Sequence, residues 1–220
     1  MVVVIDGPAG SGKSTVAKML SERLSFRYLD SGAMYRALTW KAAEEGVDFH
    51  DDKGLCKLMS GTCIRIESTK NGFETYVDDV NVSREIRLPF VTKNVHYVSN
   101  IGFVREKMVE HQRRFAEGEN IVAEGRDMAS VVFPDADMKI YLDADITVRA
   151  ERRHSELASL NGTSKLFTVA EDLRQRDHKD MTRGVAPLKQ VDDAFYLDTT
   201  RLTIEEVVRI LIEEIGKIPK

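Results

Sequence analysis

At 220 residues, with 42% hydrophobic and 31% charged positions, the chain has the composition of a soluble globular protein and the length for one sizeable core. Its formal net charge of −4 argues against a dedicated nucleic-acid or membrane-surface binder, which would carry a basic excess. Cys56 and Cys63 lack CxxC spacing and no histidines cluster, so neither a disulfide framework nor a zinc site is expected.

The chain begins with an apolar run, Val2-Val3-Val4-Ile5, closed by Asp6. That run is too short for a signal peptide, and no later stretch approaches a membrane span, so a cytoplasmic location is expected. Then comes Gly7-Pro8-Ala9-Gly10-Ser11-Gly12-Lys13-Ser14-Thr15, followed by apolar Val16, Ala17, Met19, Leu20 and Leu24 at helical spacing. This is G-x-x-x-x-G-K-[ST] between a strand and a helix, the context of a nucleotide phosphate loop. Glycines let the backbone curl until successive N–H groups face an anion, and the positive end of the following helix adds to that field. Lys13 would lie along the β- and γ-phosphates, and the Ser14 hydroxyl would hold Mg²⁺. The alternative, a glycine-rich turn and nothing more, does not account for a correctly placed Lys and Ser.

A short second strand is expected over Phe26-Arg27-Tyr28-Leu29, ending at Asp30-Ser31, a polar pair suited to capping the next helix. That helix carries Ala33, Met34, Ala37, Leu38 and Trp40 on its apolar side. Arg36 lies one turn in, at a strand's carboxyl end, where open α/β sheets bind ligands. Residues Glu44 to Ser60 are mixed, with short helices. Ile64 and Ile66 then alternate with Arg65 and Glu67, Asn71-Gly72 signals a turn, and Thr75, Val77, Val80 and Val82 extend the pattern. This hairpin, with a third strand possible, interrupts the β/α rhythm and reads as a small inserted subdomain.

From Pro89 to Glu117 the pattern is mostly helical, closed by Gly118. Ile121-Val122-Ala123 is a buried strand with Glu124-Gly125-Arg126-Asp127 at its carboxyl end, and a charged quartet there is costly unless it pairs or binds something. Met138 to Leu142 is the next strand. In the helix after Asp145, the i, i+3, i+4 spacing puts Arg149, Arg152 and Arg153 on one face, either salt-bridged to Glu151 or Glu156 or awaiting an anion. The chain loosens from Ser159 to Ser164, as a lid tip would. Helix resumes from Phe167 to Thr182, with Arg176, Asp180 and Arg183 at i, i+4, i+7 on one stripe. Ala194 to Leu197 makes a last core strand, and Thr203 to Ile215 a final amphipathic helix.

Six stretches together resemble the cytidylate kinase family of nucleoside monophosphate kinases. They are IDGPAGSGKST at Ile5 to Thr15, YLDSGAMYRA at Tyr28 to Ala37, VREKM at Val104 to Met108, EGRDM at Glu124 to Met128, RAERR at Arg149 to Arg153, and RDHKDMTRGVAPL at Arg176 to Leu188. The resemblance runs from the first strand to the last helix. It implies an α/β P-loop kinase fold with a five-stranded parallel sheet flanked by helices. The core would be about 1–30, 98–148 and 167–220, with a nucleotide-binding insertion at about 31–97 holding the hairpin and an arginine-bearing lid at about 149–166. It implies a monomeric enzyme passing the γ-phosphoryl group of ATP to CMP or dCMP with Mg²⁺, without nucleic-acid or membrane partners.

Carried over position by position, the resemblance makes Arg36, Arg126 and Arg183 ligands of the acceptor phosphate, with Ser31 and Asp30 beside that phosphate and the metal. Asp180 and Arg176 become ribose contacts, Asp127 and Arg105 cytosine contacts, and Arg149, Arg152 and Arg153 lid arginines that approach the transferring phosphate. Family members place a base-reading Ser several residues before the VR pair, with a Pro between. Here Ser99-Asn100-Ile101-Gly102-Phe103-Val104-Arg105 is shorter and lacks the Pro, which weakens Ser99 as a base contact. The rival readings are a kinase of the same fold acting on UMP, shikimate or dephospho-coenzyme A, and a nucleotide-dependent switch. The chain has neither the NKxD base-reading motif of guanine switches nor an LSGGQ-like signature.

Overall fold

A computed structural model describes residues 1–69, 72–159 and 165–219. In chain order the elements are β1 (Val2–Asp6), α1 (Lys13–Leu24), β2 (Arg27–Asp30), α2 (Ser31–Glu44), α3 (Asp52–Ser60), β3 (Ile64–Thr69), β4 (Gly72–Val77) and β5 (Val80–Asn81). Then follow α4 (Pro89–Ser99), α5 (Gly102–Ala116), β6 (Ile121–Glu124), β7 (Met138–Asp143), α6 (Ile146–Ser159), α7 (Leu166–Thr182), β8 (Phe195–Asp198) and α8 (Ile204–Ile215). A five-stranded parallel sheet has the order β2-β6-β1-β7-β8, and a three-stranded antiparallel sheet the order β3-β4-β5. No helix of the described residues is long and apolar enough to cross a membrane.

The chain divides into two compact units, Met1–Phe26 with Asn120–Lys220, and Arg27–Glu119. In the first unit β1 is the central strand, flanked by β6 and β7, and covered on both faces. That is why it reads as an unbroken apolar run: Val3, Val4 and Ile5 are wholly buried, as are Ile121, Val122 and Ala123 of β6. β8, at the sheet edge, alternates half-buried with exposed residues. α8 opens on a capping box, with the Thr203 side chain accepting from the Glu206 N–H and the Glu206 carboxylate accepting from the Thr203 N–H, and it buries Val207, Val208, Leu211 and Ile215.

In the second unit the expected hairpin pairs Ile64 with Val77 and Ile66 with Thr75, all four buried. Asn71 lies outside the described residues. The third strand is present, reached through a two-residue turn at Asp78-Asp79, both in left-handed backbone (φ 46 and 70) as such a hairpin turn demands. The mostly helical stretch from Pro89 to Glu117 is two helices, parted where Ile101 is extended (φ −80, ψ 119). Asn100 and Gly102, weak helix formers, flank that break.

Candidate active site

Four loops of the first unit leave the carboxyl ends of parallel strands, the position at which open α/β sheets bind ligands. The loop after β1 is shaped by glycine. A Cβ at Gly7 would stand 2.0 Å from the Leu142 carbonyl oxygen, so only glycine lets the loop pass β7. Gly12, at φ 93, forms the N-cap of α1 without a side-chain cap and with no acid in the helix's first turn. The helix therefore presents bare N–H groups and an uncompensated positive end to an anion. Lys13 turns back over the loop, its Nζ donating to Pro8 O at 2.6 Å and to Ser11 Oγ at 3.3 Å. Burial pushes its ammonium down to about 7, Arg126 and Arg176 add repulsion, and Glu124 and Asp6 pull the other way. An ammonium so placed gains from any phosphate that approaches.

After β6, Arg126 reaches Asp180 of α7, Nε to Oδ2 at 2.8 Å, and donates from Nη1 to Gly125 O at 3.1 Å. Burial raises the Asp180 carboxyl, but Arg126, Arg176 and Arg183 outweigh it and hold the group below its ordinary range. Asp127 Oδ1 is 3.5 Å from Arg183 Nη2. Arg183 does not continue the α7 stripe. It is the C-cap, extended at φ −61 and ψ 143, and that turn lets its Nε donate to Ala186 O at 2.7 Å. Ala186 sits at φ 49, a left-handed conformation uncommon for alanine and of the kind found where a loop is held for use.

Asp6 was silent in the sequence beyond ending its strand. Its carboxylate accepts from Met128 N at 3.0 Å and Ala129 N at 2.8 Å, pinning the turn that follows Arg126 and Asp127. Desolvation raises its pKa to about 6 against the two N–H bonds that lower it. A carboxyl raised in the folded state keeps its proton to higher pH than in the unfolded chain, so stability from this group falls as pH rises from about 4 to 6. The shift corresponds to about 2–3 kcal/mol. Urea unfolding at pH 4.5 and pH 7 should show wild type losing stability relative to Asp6→Asn over that interval. Parallel behaviour of the two proteins would show that Asp6 does not titrate there.

The arginines of α6 are each engaged by the protein. Arg149 is buried and donates from Nε to Ala144 O and from Nη1 to Ala9 O, both at 2.9 Å, and to the Asp177 carboxylate. Arg152 donates from Nη2 to Thr199 O at 2.8 Å and from Nη1 to Thr199 Oγ1 at 3.1 Å, while Arg153 pairs with Glu156 at 2.7 Å. Residues 160–164 of the expected lid tip lie outside the described residues, as does the side chain of Ser159. Asp177 and Thr199 were not singled out in the sequence, although both are buried against the phosphate loop. Asp177 Oδ1 accepts from Ala9 N at 2.9 Å, and the Thr199 hydroxyl donates to Asp143 O at 3.0 Å and lies 3.4 Å from Ser11 O.

In the second unit Asp30 caps α2, Oδ1 accepting from Ala33 N at 2.7 Å, while Oδ2 accepts from Arg36 Nη2 at 3.1 Å. Gly32 leaves room for this fold-back, since a Cβ there would meet Arg36 Nη1 at 2.8 Å. Ser31 is buried beside them. Arg105 is buried, its guanidinium 5.4 Å from the Tyr35 ring centroid and its Nη1 donating to Ser99 O at 3.1 Å. The Ser99 hydroxyl donates back to His96 O at 3.4 Å, within its own helix.

Ser14, exposed at the start of α1, offers a hard oxygen of the kind Mg²⁺ takes when nucleotide phosphates and water supply the other ligands. Among the described residues no group of three or more His, Cys, Asp or Glu gathers as a protein cage for a metal. The glycine-shaped cradle and the bare helix start fit phosphate, and a metal carried in with it would meet the Ser14 hydroxyl.

A parallel α/β sheet with a phosphate loop at its first crossover, a buried lysine on that loop and arginines at neighbouring strand ends define a P-loop phosphotransferase. The chain belongs to the cytidylate kinase family, whose model matches residues 3–217. It is 43% identical over 215 residues to a cytidylate kinase of Geobacillus thermodenitrificans, covering 98% of this chain and 96% of that one. It is 44% identical over 206 residues to that of Anoxybacillus flavithermus, covering 94% and 92%. Among solved structures, an uncharacterized protein from Eubacterium ventriosum superposes with a TM-score of 0.51 over 99% of both chains at 11% identity, a likeness of fold alone.

Proposed function

We propose that this protein transfers the γ-phosphoryl group of ATP to CMP or dCMP, giving ADP and the diphosphate, and that it works as a cytoplasmic monomer. The observation that carries the reading is the buried Lys13, crowded by Arg126 and Arg176 at the mouth of a glycine-shaped cradle. Donor and acceptor both bring phosphate charge to one point, so the protein must supply positive charge from several directions and exclude water.

Lys13 and the backbone of the loop over residues 7–15 hold the donor phosphates, although Pro8 has no N–H to give and Ala9 spends its own on Asp177, and Arg126 and Arg183, with Arg36, receive the acceptor phosphate. Asp180 holds Arg126 in place and, with Arg176, meets the ribose. Ser14 would hold Mg²⁺, a role that the resemblance extends to Asp30, and the ion would neutralise phosphate charge when bound. The acceptor oxygen is already anionic, so no general base is needed. The rival acceptors named above are disfavoured by the family assignment, since membership spans nearly the whole chain.

Base choice is assigned to Asp127 and Arg105. A carboxylate accepts from the N4 amine of cytosine, whereas uracil presents a carbonyl there, and such a contact discriminates by about 1–3 kcal/mol. Asp127→Asn can present either a donor or an acceptor, so it should lower kcat/KM for CMP and narrow the gap to UMP. If Asp127 serves only its ion pair with Arg183, both acceptors suffer alike and the ratio stays unchanged.

A further inference from the structure

Both backbone polar groups of Ala9, in the middle of the phosphate loop, are held by one buried ion pair. Asp177 Oδ1 accepts the Ala9 N–H at 2.9 Å, and Arg149 Nη1 donates to the Ala9 carbonyl at 2.9 Å and to Asp177 Oδ2. Arg149 Nε is committed as well, to Ala144 O at 2.9 Å. The two side chains are 10% and 9% exposed. Around them Ala9 packs with Ala150 of α6 and with Val169 and Leu173 of α7, joined by Ile146, Leu157 and Ala170. Buried charge is costly unless its hydrogen bonds are met, and here the bonds that meet it are those of the loop backbone itself.

This differs from the lid role that resemblance gives Arg149. Three of its five N–H donors are spent on Ala144, Ala9 and Asp177, and Asp177 has no part in that role at all. We propose that Arg149 and Asp177 are positioning residues, a clamp that fixes the Ala9 peptide and so sets the curvature of the donor loop. Because α7 also carries Arg176 and Asp180, the clamp joins the loop that holds the donor to the helix assigned to the acceptor. A displacement of α6 or α7 must either break the clamp or distort the loop.

The inference rests on the donor's phosphates seating in this loop, but not on which acceptor is used. The test is a double-mutant cycle with Arg149→Met, Asp177→Asn and the pair, read by MgADP affinity and by KM and kcat for both substrates. Each single change should weaken MgADP and raise KM for ATP by about tenfold or more, as misplacement of a binding element does, while KM for CMP moves much less. The double variant should be no worse than the more impaired single, because the pair acts as a unit. Arg149→Lys should recover part of the MgADP affinity, since an ammonium can still bridge Ala9 O and Asp177. A large fall in kcat for Arg149→Met with Asp177→Asn near wild type, or additive losses in the double variant, would overturn the clamp and make Arg149 a direct phosphate ligand. If Asp177→Asn does not fold, Arg149→Met and Arg149→Lys still decide: unchanged MgADP affinity in both refutes the proposal. MgADP binding separates this outcome from a wrong acceptor, which would appear in wild-type turnover alone.

Discussion

Lys13→Met is expected to lower kcat by about 10²–10³-fold or more, the loss that follows removal of one preorganised donor from a developing charge. KM for ATP should change far less, because the ammonium interacts more strongly with the transferring phosphoryl group than with the ground state. The structure adds a second readout. Without nucleotide, burial and the repulsion of Arg126 and Arg176 hold the Lys13 ammonium down at about 7, so at pH 8 it is largely neutral. Phosphate charge beside it favours the ammonium, and the group must then bind a proton. Calorimetry at pH 8 in buffers of different ionisation enthalpy should show proton uptake on MgATP binding in wild type and its loss in Lys13→Met. Near-normal turnover in the variant would contradict the role given to the phosphate loop.

Arg126→Ala should be nearly as damaging, but on the other substrate. It removes a guanidinium assigned to the acceptor phosphate and deprives Asp180 of the partner 2.8 Å away that keeps its carboxyl ionised. Loss of one partner from a largely desolvated, hydrogen-bonded charge pair costs about 2–5 kcal/mol, so kcat/KM for CMP should fall by about 30- to several-thousand-fold. KM for ATP should stay near its wild-type value. Arg36→Ala and Arg183→Ala should fall in the same direction if the three form an acceptor clamp. Initial rates over a grid of ATP and CMP concentrations measure both effects, and equal weakening of ATP in all three variants would contradict it.

Much of this was legible because the chemistry dictates residue types at fixed spacing. A loop that curls around phosphate needs glycine where a Cβ would strike Leu142 O, and a central parallel strand covered on both faces must be apolar at every position. Asp30 was readable as a helix cap for the same local reason. The failures share a cause as well, since each depends on contacts remote in sequence. Helical spacing placed Arg183 on the α7 stripe, but the chain leaves the helix at Thr182 and Ala186 turns it through left-handed backbone, aiming Arg183 at Asp127. Of the α6 arginines, Arg153 takes the local pairing with Glu156 that the spacing allowed, whereas Arg149 and Arg152 are engaged by Asp177 and Thr199, 28 and 47 residues away. Asp6 and Asp177 carry no local signature, because the backbone N–H groups they accept from lie more than a hundred residues away.

Phosphoryl transfer from ATP to a cytosine nucleotide can be read as ADP release from ATP across a panel of acceptors. CMP, dCMP, UMP, shikimate and dephospho-coenzyme A should be compared at equal concentration, beside a control without acceptor. CMP or dCMP, one or both, should give rapid ADP release, UMP slower release, and the other acceptors almost none. Preference for UMP or for a non-nucleotide acceptor, or ATP hydrolysis indifferent to the acceptor, would contradict the proposed function.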